Sequence, residues 1–112
     1  MKVYFGEPAF HYEAWHHTGA ARLEVGLHFE SSATDNQAAF DYFRAHMVAV
    51  KSALPRAELE PWDRGWSRLY ETVPALRLDD AVLDRTVACL AAYVVALQPL
   101  LDEFLRRRDE NS

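Results

Sequence analysis

A single cysteine, Cys89, is all that the 112-residue chain carries. An intramolecular disulfide framework is therefore excluded and a reducing compartment is expected. Cys89 lies in an apolar helical run, where a thiol is a buried filler rather than a nucleophile. Basic character is lacking too. The net charge of −5 argues against a non-specific nucleic-acid binder, which needs a basic stripe to displace counterions from phosphate. The one dense basic run, Arg106-Arg107-Arg108, is followed at once by Asp109-Glu110 and reads as a helix end, where cations favour the macrodipole. Long apolar runs are absent as well: residues 86–101, the most apolar stretch, contain Gln98 and Pro99, so no membrane span is expected. Lys2 is followed closely by Gly6, Glu7 and Pro8, which is not the opening of a signal peptide. The expectation is a soluble, cytoplasmic protein. Ser31, Ser32, Ser52 and Ser67 lie in no Gly-x-Ser-x-Gly elbow, and no glycine-rich phosphate loop occurs.

What is present is one domain over residues 1–112, long enough for a single hydrophobic core. Residues 3–5 allow a short strand. Residues 10–16 alternate, with Phe10, Tyr12 and Ala14 opposing His11, Glu13 and Trp15. Residues 22–30 alternate more strictly, with Leu23, Val25, Leu27 and Phe29 opposing Glu24, Gly26, His28 and Glu30. Period-two patterning predicts two strands. The intervening Thr18-Gly19-Ala20-Ala21 suits a type II′ hairpin turn, which sets His11 opposite His28, Glu13 opposite Gly26 and Trp15 opposite Glu24.

After the polar loop 31–36, a stripe of Phe40, Phe43, Met47, Val50 and Leu54 predicts a helix over 36–54, ended by Pro55. Strands follow at 57–62, with Leu59 inward, and at 66–73, joined by Asp63-Arg64-Gly65. A last helix runs from Asp79-Asp80 to about Arg107. Its stripe is Leu83, Val87, Leu90, Val94, Leu97, Leu101 and Phe104, and Pro99 is expected to kink it. A second apolar row, Val82, Cys89, Tyr93, Ala96 and Leu100, exceeds what one sheet can cover and predicts a homodimer through this helix. The fold class is α+β: a four-stranded antiparallel sheet in ββαββα order with two helices packed on one face.

The other face then carries an unusual set. His-x-Glu occurs twice, as His11/Glu13 and His28/Glu30, and side chains two apart on a strand share a face. Neutral imidazole and carboxylate are ligands for Zn, Mn or Fe, and cross-strand neighbours lie about 5 Å apart at Cβ. His11, His28 and Glu13 or Glu30 can therefore converge on one divalent ion, as a metal-dependent hydrolase or oxygenase requires. Trp15, Glu58, Glu60, Trp66, Arg68 and Tyr70 share the face and resemble a ligand or partner surface. A plain reading also exists: Glu58 opposite Arg68 would make an ordinary exposed salt bridge. A general acid–base role for Glu30 or Glu60 beside Trp62 or Trp66 stays open. His16 and His17 flank the hairpin turn and read as solvated, and His46 as a helix-flank residue.

Residues 22–30, then Asn36, Phe40 and Phe43, then Leu59-Glu60-Pro61-Trp62 and Arg68-Leu69-Tyr70, resemble a prokaryotic domain of unknown function found beside restriction-type nuclease domains. The resemblance covers about residues 22–70 and implies an α+β fold with a link to DNA-processing systems. The chain lacks the Asp…Glu-x-Lys nuclease core, so no catalytic residue is carried over. Taken together, the expectation is a dimeric ligand- or protein-binding, regulatory module using the His/Glu/Trp face, with a metal-dependent enzyme as the alternative.

Overall fold

A computed structural model describes residues 2–4 and 7–111, with the backbone alone at Thr18. The two alternating segments form β2 (Phe10–His17) and β3 (Arg22–Phe29), paired antiparallel with His11 opposite His28, Glu13 opposite Gly26 and Trp15 opposite Glu24. That is the register the sequence predicts. The connection differs: Thr18–Ala20 make one 3-10 turn and Ala21 takes the positive φ of 50°. Four residues cross between the strands, so Gly19 does not head a two-residue turn.

The sheet has five strands rather than four, in the order β1-β2-β3-β5-β4, with β1 (Lys2–Val3) added outside β2. Of the short strand expected at 3–5, Phe5 lies outside the described residues. β5 (Ser67–Pro74) pairs with β3 along its whole length, from Phe29 opposite Ser67 to Arg22 opposite Pro74. β4 (Glu58–Pro61) hangs on the outer edge of β5. The order along the chain is therefore βββααββα.

The helix expected at 36–54 is two helices, α1 (Ala33–Ala45) and α2 (Met47–Ala53), parted at His46 with φ −106° and ψ 8°. Its start also moves, because Ser32 is the cap and accepts from the Asp35 amide. Asn36 is instead buried inside α1. Its side chain accepts from the Ser31 amide at 2.8 Å and donates to the Gly65 carbonyl at 2.8 Å. That bond ties α1 to the tight turn Asp63–Gly65, where Arg64 and Gly65 have φ of 62° and 75°. A glycine suits that left-handed position.

α3 (Asp80–Glu110) starts on an Asp79 cap and runs unbroken through Pro99. Pro99 is exposed, and its neighbours Leu97 and Leu101 are buried in the core, so packing holds the helix on both sides of it. Gln98, polar within an apolar run, accepts from the buried Tyr12 hydroxyl at 2.9 Å. Arg108 bridges Glu7 and Asp35, both at 3.3 Å, so the basic end is held down. An apolar window of α3 has a mean hydropathy of 1.5 with 28% of it buried. By length and composition alone it meets the spanning criterion that Gln98 and Pro99 were expected to exclude. One side of α3, with Leu90, Tyr93, Leu97, Leu101 and Phe104, packs into the core of the chain.

Phe10, Tyr12, Val25, Leu27, Phe29 and Leu69 on one sheet face meet Phe43, Val50, Leu90, Tyr93, Leu97 and Phe104 from the helices. The helices thus cover one face, as expected. The row of α3 assigned to a dimer is corrected in part: Val82 and Tyr93 are buried within the chain, while Leu83, Val87 and Val95 are exposed. Burial pushes the Cys89 thiol up to about 11, with the Glu71 carboxylate adding to the shift.

Gly26 marks the closest approach in the sheet. A Cβ there would stand 2.4 Å from the Leu69 carbonyl oxygen and 2.6 Å from the Tyr70 Cβ. Backbone must shift to admit it, so Gly26→Ala is expected to lower stability by about 1–3 kcal/mol. A fall in the urea midpoint at unchanged m-value checks this.

Candidate metal centre

The centre of the face turned away from the helices is not solvated, although Trp15 and Glu58 at its margins are exposed. His11, Glu24 and His28 are 3%, 2% and 1% exposed. Burying three ionisable groups requires every polar atom to find a partner, and the partners define the site.

Strand alternation puts His11, Glu13, Gly26, His28 and Glu30 on this face, and the β2–β3 register draws them together. Glu13 Oε2 lies 3.2 Å from His11 Nε2 and 3.3 Å from His28 Nδ1. Glu30 Oε2 lies 3.1 Å from His28 Nδ1 and 3.7 Å from His11 Nε2. One donor atom from each of the four residues falls within 4.8 Å of all the others. The sequence named these four residues, and the structure brings all of them together.

The outer ring nitrogens are already engaged. His11 Nδ1 donates to the Pro8 carbonyl at 3.0 Å, and His28 Nε2 donates to Glu24 Oε2 at 3.0 Å. A neutral imidazole has one N–H. Its inner nitrogen therefore presents a lone pair toward carboxylate oxygens, and two acceptors facing each other need a proton or a cation between them. Burial disfavours the charged form of His28, but the Glu24 hydrogen bond and the charges of Glu13 and Glu24 outweigh it, so its pKa is raised. For Glu24, burial opposes ionisation, while the His28 hydrogen bond and the Arg68 charge prevail and hold its pKa low.

Glu24 and His28 are four apart on one strand, about 13 Å at Cα. Their side chains meet because Gly26, between them on the same face, has none. Arg68 completes the relay by pairing with Glu24 and with Glu60. Its guanidinium lies 4.2 Å from the Tyr70 ring centroid and 4.9 Å from that of Trp62, a desolvated cation–π setting. The Trp62 ring meets His28 edge-on at 5.4 Å, and Tyr4 covers His11 at 5.2 Å.

The ligand-surface residues are placed less simply. Glu60, Arg68 and Tyr70 form one cluster, but Arg68 is consumed by Glu24 and Glu60 rather than free for a ligand. Glu58 does not oppose Arg68. The register sets Glu60 there and Glu58 opposite Tyr70, one pleat further, because the β4–β5 connection includes Trp62 and Trp66 in the turn. Glu58 instead lies 3.8 Å from Lys51. Trp66 packs on Trp62 at 6.1 Å, whereas Trp15, level with Glu24, lies at the other end of the face with its ring 4.2 Å from that of His17. His17 is not simply solvated, since its Nε2 points to Glu24 Oε1 at 3.6 Å. His16 Nε2 reaches the Ala75 carbonyl at 3.3 Å, and His46 Nδ1 donates to the Tyr42 carbonyl at 2.7 Å.

Pro8 and Tyr4 are site residues that the sequence did not single out, and Trp62 was named only as a neighbour of Glu30 or Glu60, not of His28 and Arg68. A carbonyl acceptor carries no side-chain signature, and the two aromatics arrive by strand pairing at opposite edges of the sheet. Trp62 had one usable signal, the even spacing that continues Glu58 and Glu60.

Removing the Glu24 carboxylate orphans one side of Arg68 and His28. Glu24→Ala is expected to lower stability by about 2–3 kcal/mol, less than the about 3–5 of a fully unpaired buried charge because Glu60 still holds Arg68. Equilibrium urea unfolding measures it.

Against protein-family models, curated proteins and solved structures, nothing matches this chain.

Proposed function

We propose that the chain is a small metal-binding module. It holds one divalent ion between His11, Glu13, His28 and Glu30, and its role is binding rather than turnover. One observation carries this: both imidazoles have their outer nitrogens tied to acceptors, so two lone pairs and two carboxylates point at a common centre. A hydrogen bond from the outer ring nitrogen to a carboxylate or carbonyl is what orients metal-ligating histidines. The donor set is borderline-soft nitrogen with carboxylate oxygen, which favours zinc over magnesium or calcium, with manganese and iron next. Tetrahedral zinc with bonds of about 2.0–2.1 Å sets its ligands about 3.3 Å apart; the four His–Glu separations run from 3.1 to 3.7 Å, and all the donor atoms lie within 4.8 Å of one another. Four protein donors leave no coordination position for a substrate, as in structural rather than catalytic zinc sites. An ion here would cross-link β2 to β3.

A second reading, a metal-dependent hydrolase or oxygenase, is favoured by one observation. The Glu13 and Glu30 side chains are 18% and 17% exposed, the histidines 3% and 1%. A carboxylate is thus the ligand that can yield to water, leaving two histidines and one carboxylate. Untagged protein, stripped with chelator and reloaded, is expected to hold one zinc per chain by plasma mass spectrometry. The double change His11→Ala and His28→Ala abolishes uptake, and Glu24→Gln weakens it about 10–100-fold. Absence of uptake by the unaltered chain overturns the proposal. In the cobalt-loaded protein, a visible spectrum indifferent to azide supports the closed site; a shifted one selects the second reading.

The partner that suits the module is a second copy. Leu83, Val87, Ala91, Val95 and Pro99 are all exposed and repeat every fourth residue along α3. Two such rows are self-complementary about a two-fold axis at the small Ala91. Sedimentation at low micromolar concentration is expected to give twice the 12.8 kDa chain mass; a species of the chain mass itself refutes the pairing.

A further inference from the structure

β4 pairs with β5 only from Ser67 to Tyr70, whereas β5 continues to Pro74. Residues 71–74 therefore form a free sheet edge on that side. Backbone groups along a strand alternate in direction, so part of the N–H and C=O set of this stretch faces outward with no strand to receive it. Three clefts run along the edge. One of about 540 Å³ is shared by Arg77 and Arg85, the next of about 540 Å³ by Arg85, Arg56 and Glu71, and the third of about 270 Å³ by Arg56, Glu71 and Arg22. Each overlaps the next in its lining, so they form one continuous strip.

The charge of this strip is opposite to that of the chain, which carries −5. Among the described residues, the side chains of Arg22, Arg56, Arg77 and Arg85 make no hydrogen bond or ion pair, and all four line it. Other arginines, such as Arg68, Arg106 and Arg108, are paired. The acids nearby are mostly engaged: Asp79 accepts from the Val82 amide at 2.8 Å, and Glu58 lies 3.8 Å from Lys51. Glu71 alone stands in the middle. Arg22 belongs to the sheet face of the histidines, and Arg85 to α3 on the opposite face, with Arg56 lining both neighbouring clefts.

We propose that this strip docks an extended acidic peptide, which adds to the free edge of β5 as a further strand. Strand addition uses main-chain hydrogen bonds for affinity and alternate side chains for specificity. Successive side chains of an added strand point to opposite faces, which suits cations placed on both sides of the edge. Guanidinium groups match carboxylates in bidentate geometry. Glu71 disfavours a carboxylate directly opposite, so the acidic residues belong at the ends of the peptide and apolar or neutral ones in the middle, over Val73 and Pro74. The site is separate from the metal centre and does not depend on it.

The probe is fluorescein-labelled acetyl-Glu-Glu-Val-Thr-Val-Glu-Glu-amide, followed by fluorescence anisotropy against the full chain at about 0.15 M salt. Saturable binding is expected, weakened about tenfold or more in the double variant R56Q/R85Q, with a thermal melt matching the unaltered chain. The same peptide N-methylated at alternate residues is expected not to bind. No saturable binding overturns the proposal, as does binding unchanged in the variant. Equal binding of the N-methylated peptide, which uses the unaltered protein, overturns strand addition. Displacement by free glutarate at the peptide's own concentration shows a small-anion site and overturns the peptide.

Discussion

Glu24 is a carboxylate placed where carboxylates are costly, in the middle strand of a sheet with almost no access to water. Its presence there sets conditions on everything around it. Arg68 must approach from β5 and His28 must approach along β3, because a buried charge is tolerable only when paired and hydrogen-bonded. The approach along β3 works only if the residue between the two has no side chain, which is what Gly26 provides. Arg68 in turn needs Glu60, and its flat guanidinium lies against Tyr70 and Trp62. The result is a polar layer as tightly determined as the apolar core on the other side of the sheet.

That layer decides what the two histidines can do. With Nε2 of His28 fixed on Glu24 and Nδ1 of His11 fixed on the Pro8 carbonyl, neither ring is free to flip. Both inner nitrogens face Glu13 and Glu30. Pre-orientation of this kind is what the proposed ligand set requires, since donors held in place by their outer hydrogen bonds need no rearrangement when an ion arrives. The aromatic rings of Tyr4 and Trp62 close the flanks and leave the two carboxylates as the exposed side.

The same sheet produces its other candidate surfaces by what it leaves unfinished. β4 is shorter than β5, and its end uncovers an edge flanked by unpaired arginines. α3 is longer than the sheet it covers, and one of its rows stays in water. These are consequences of unequal element lengths.

Alternation in residues 10–16 and 22–30, joined by only four residues, was sufficient to determine the β2–β3 register and hence the four-residue His/Glu cluster, although the turn itself has another form. Those signals are local: period two decides which side chains share a face, and a short connection limits the pairings. The split of the first helix at His46, the five-strand count and the Glu60–Arg68 pairing were not legible in that way. The Glu60–Arg68 pairing turns on how many residues the connection 62–66 takes up, and the fifth strand, β1, is two residues long, too short to show a period. The burial of the polar face was the largest departure. Its residues are those of a solvated surface by type. Only the tertiary structure, by laying Arg68, Trp62 and Tyr4 over them from other strands and relieving the strand at Gly26, turned that surface into an enclosed site.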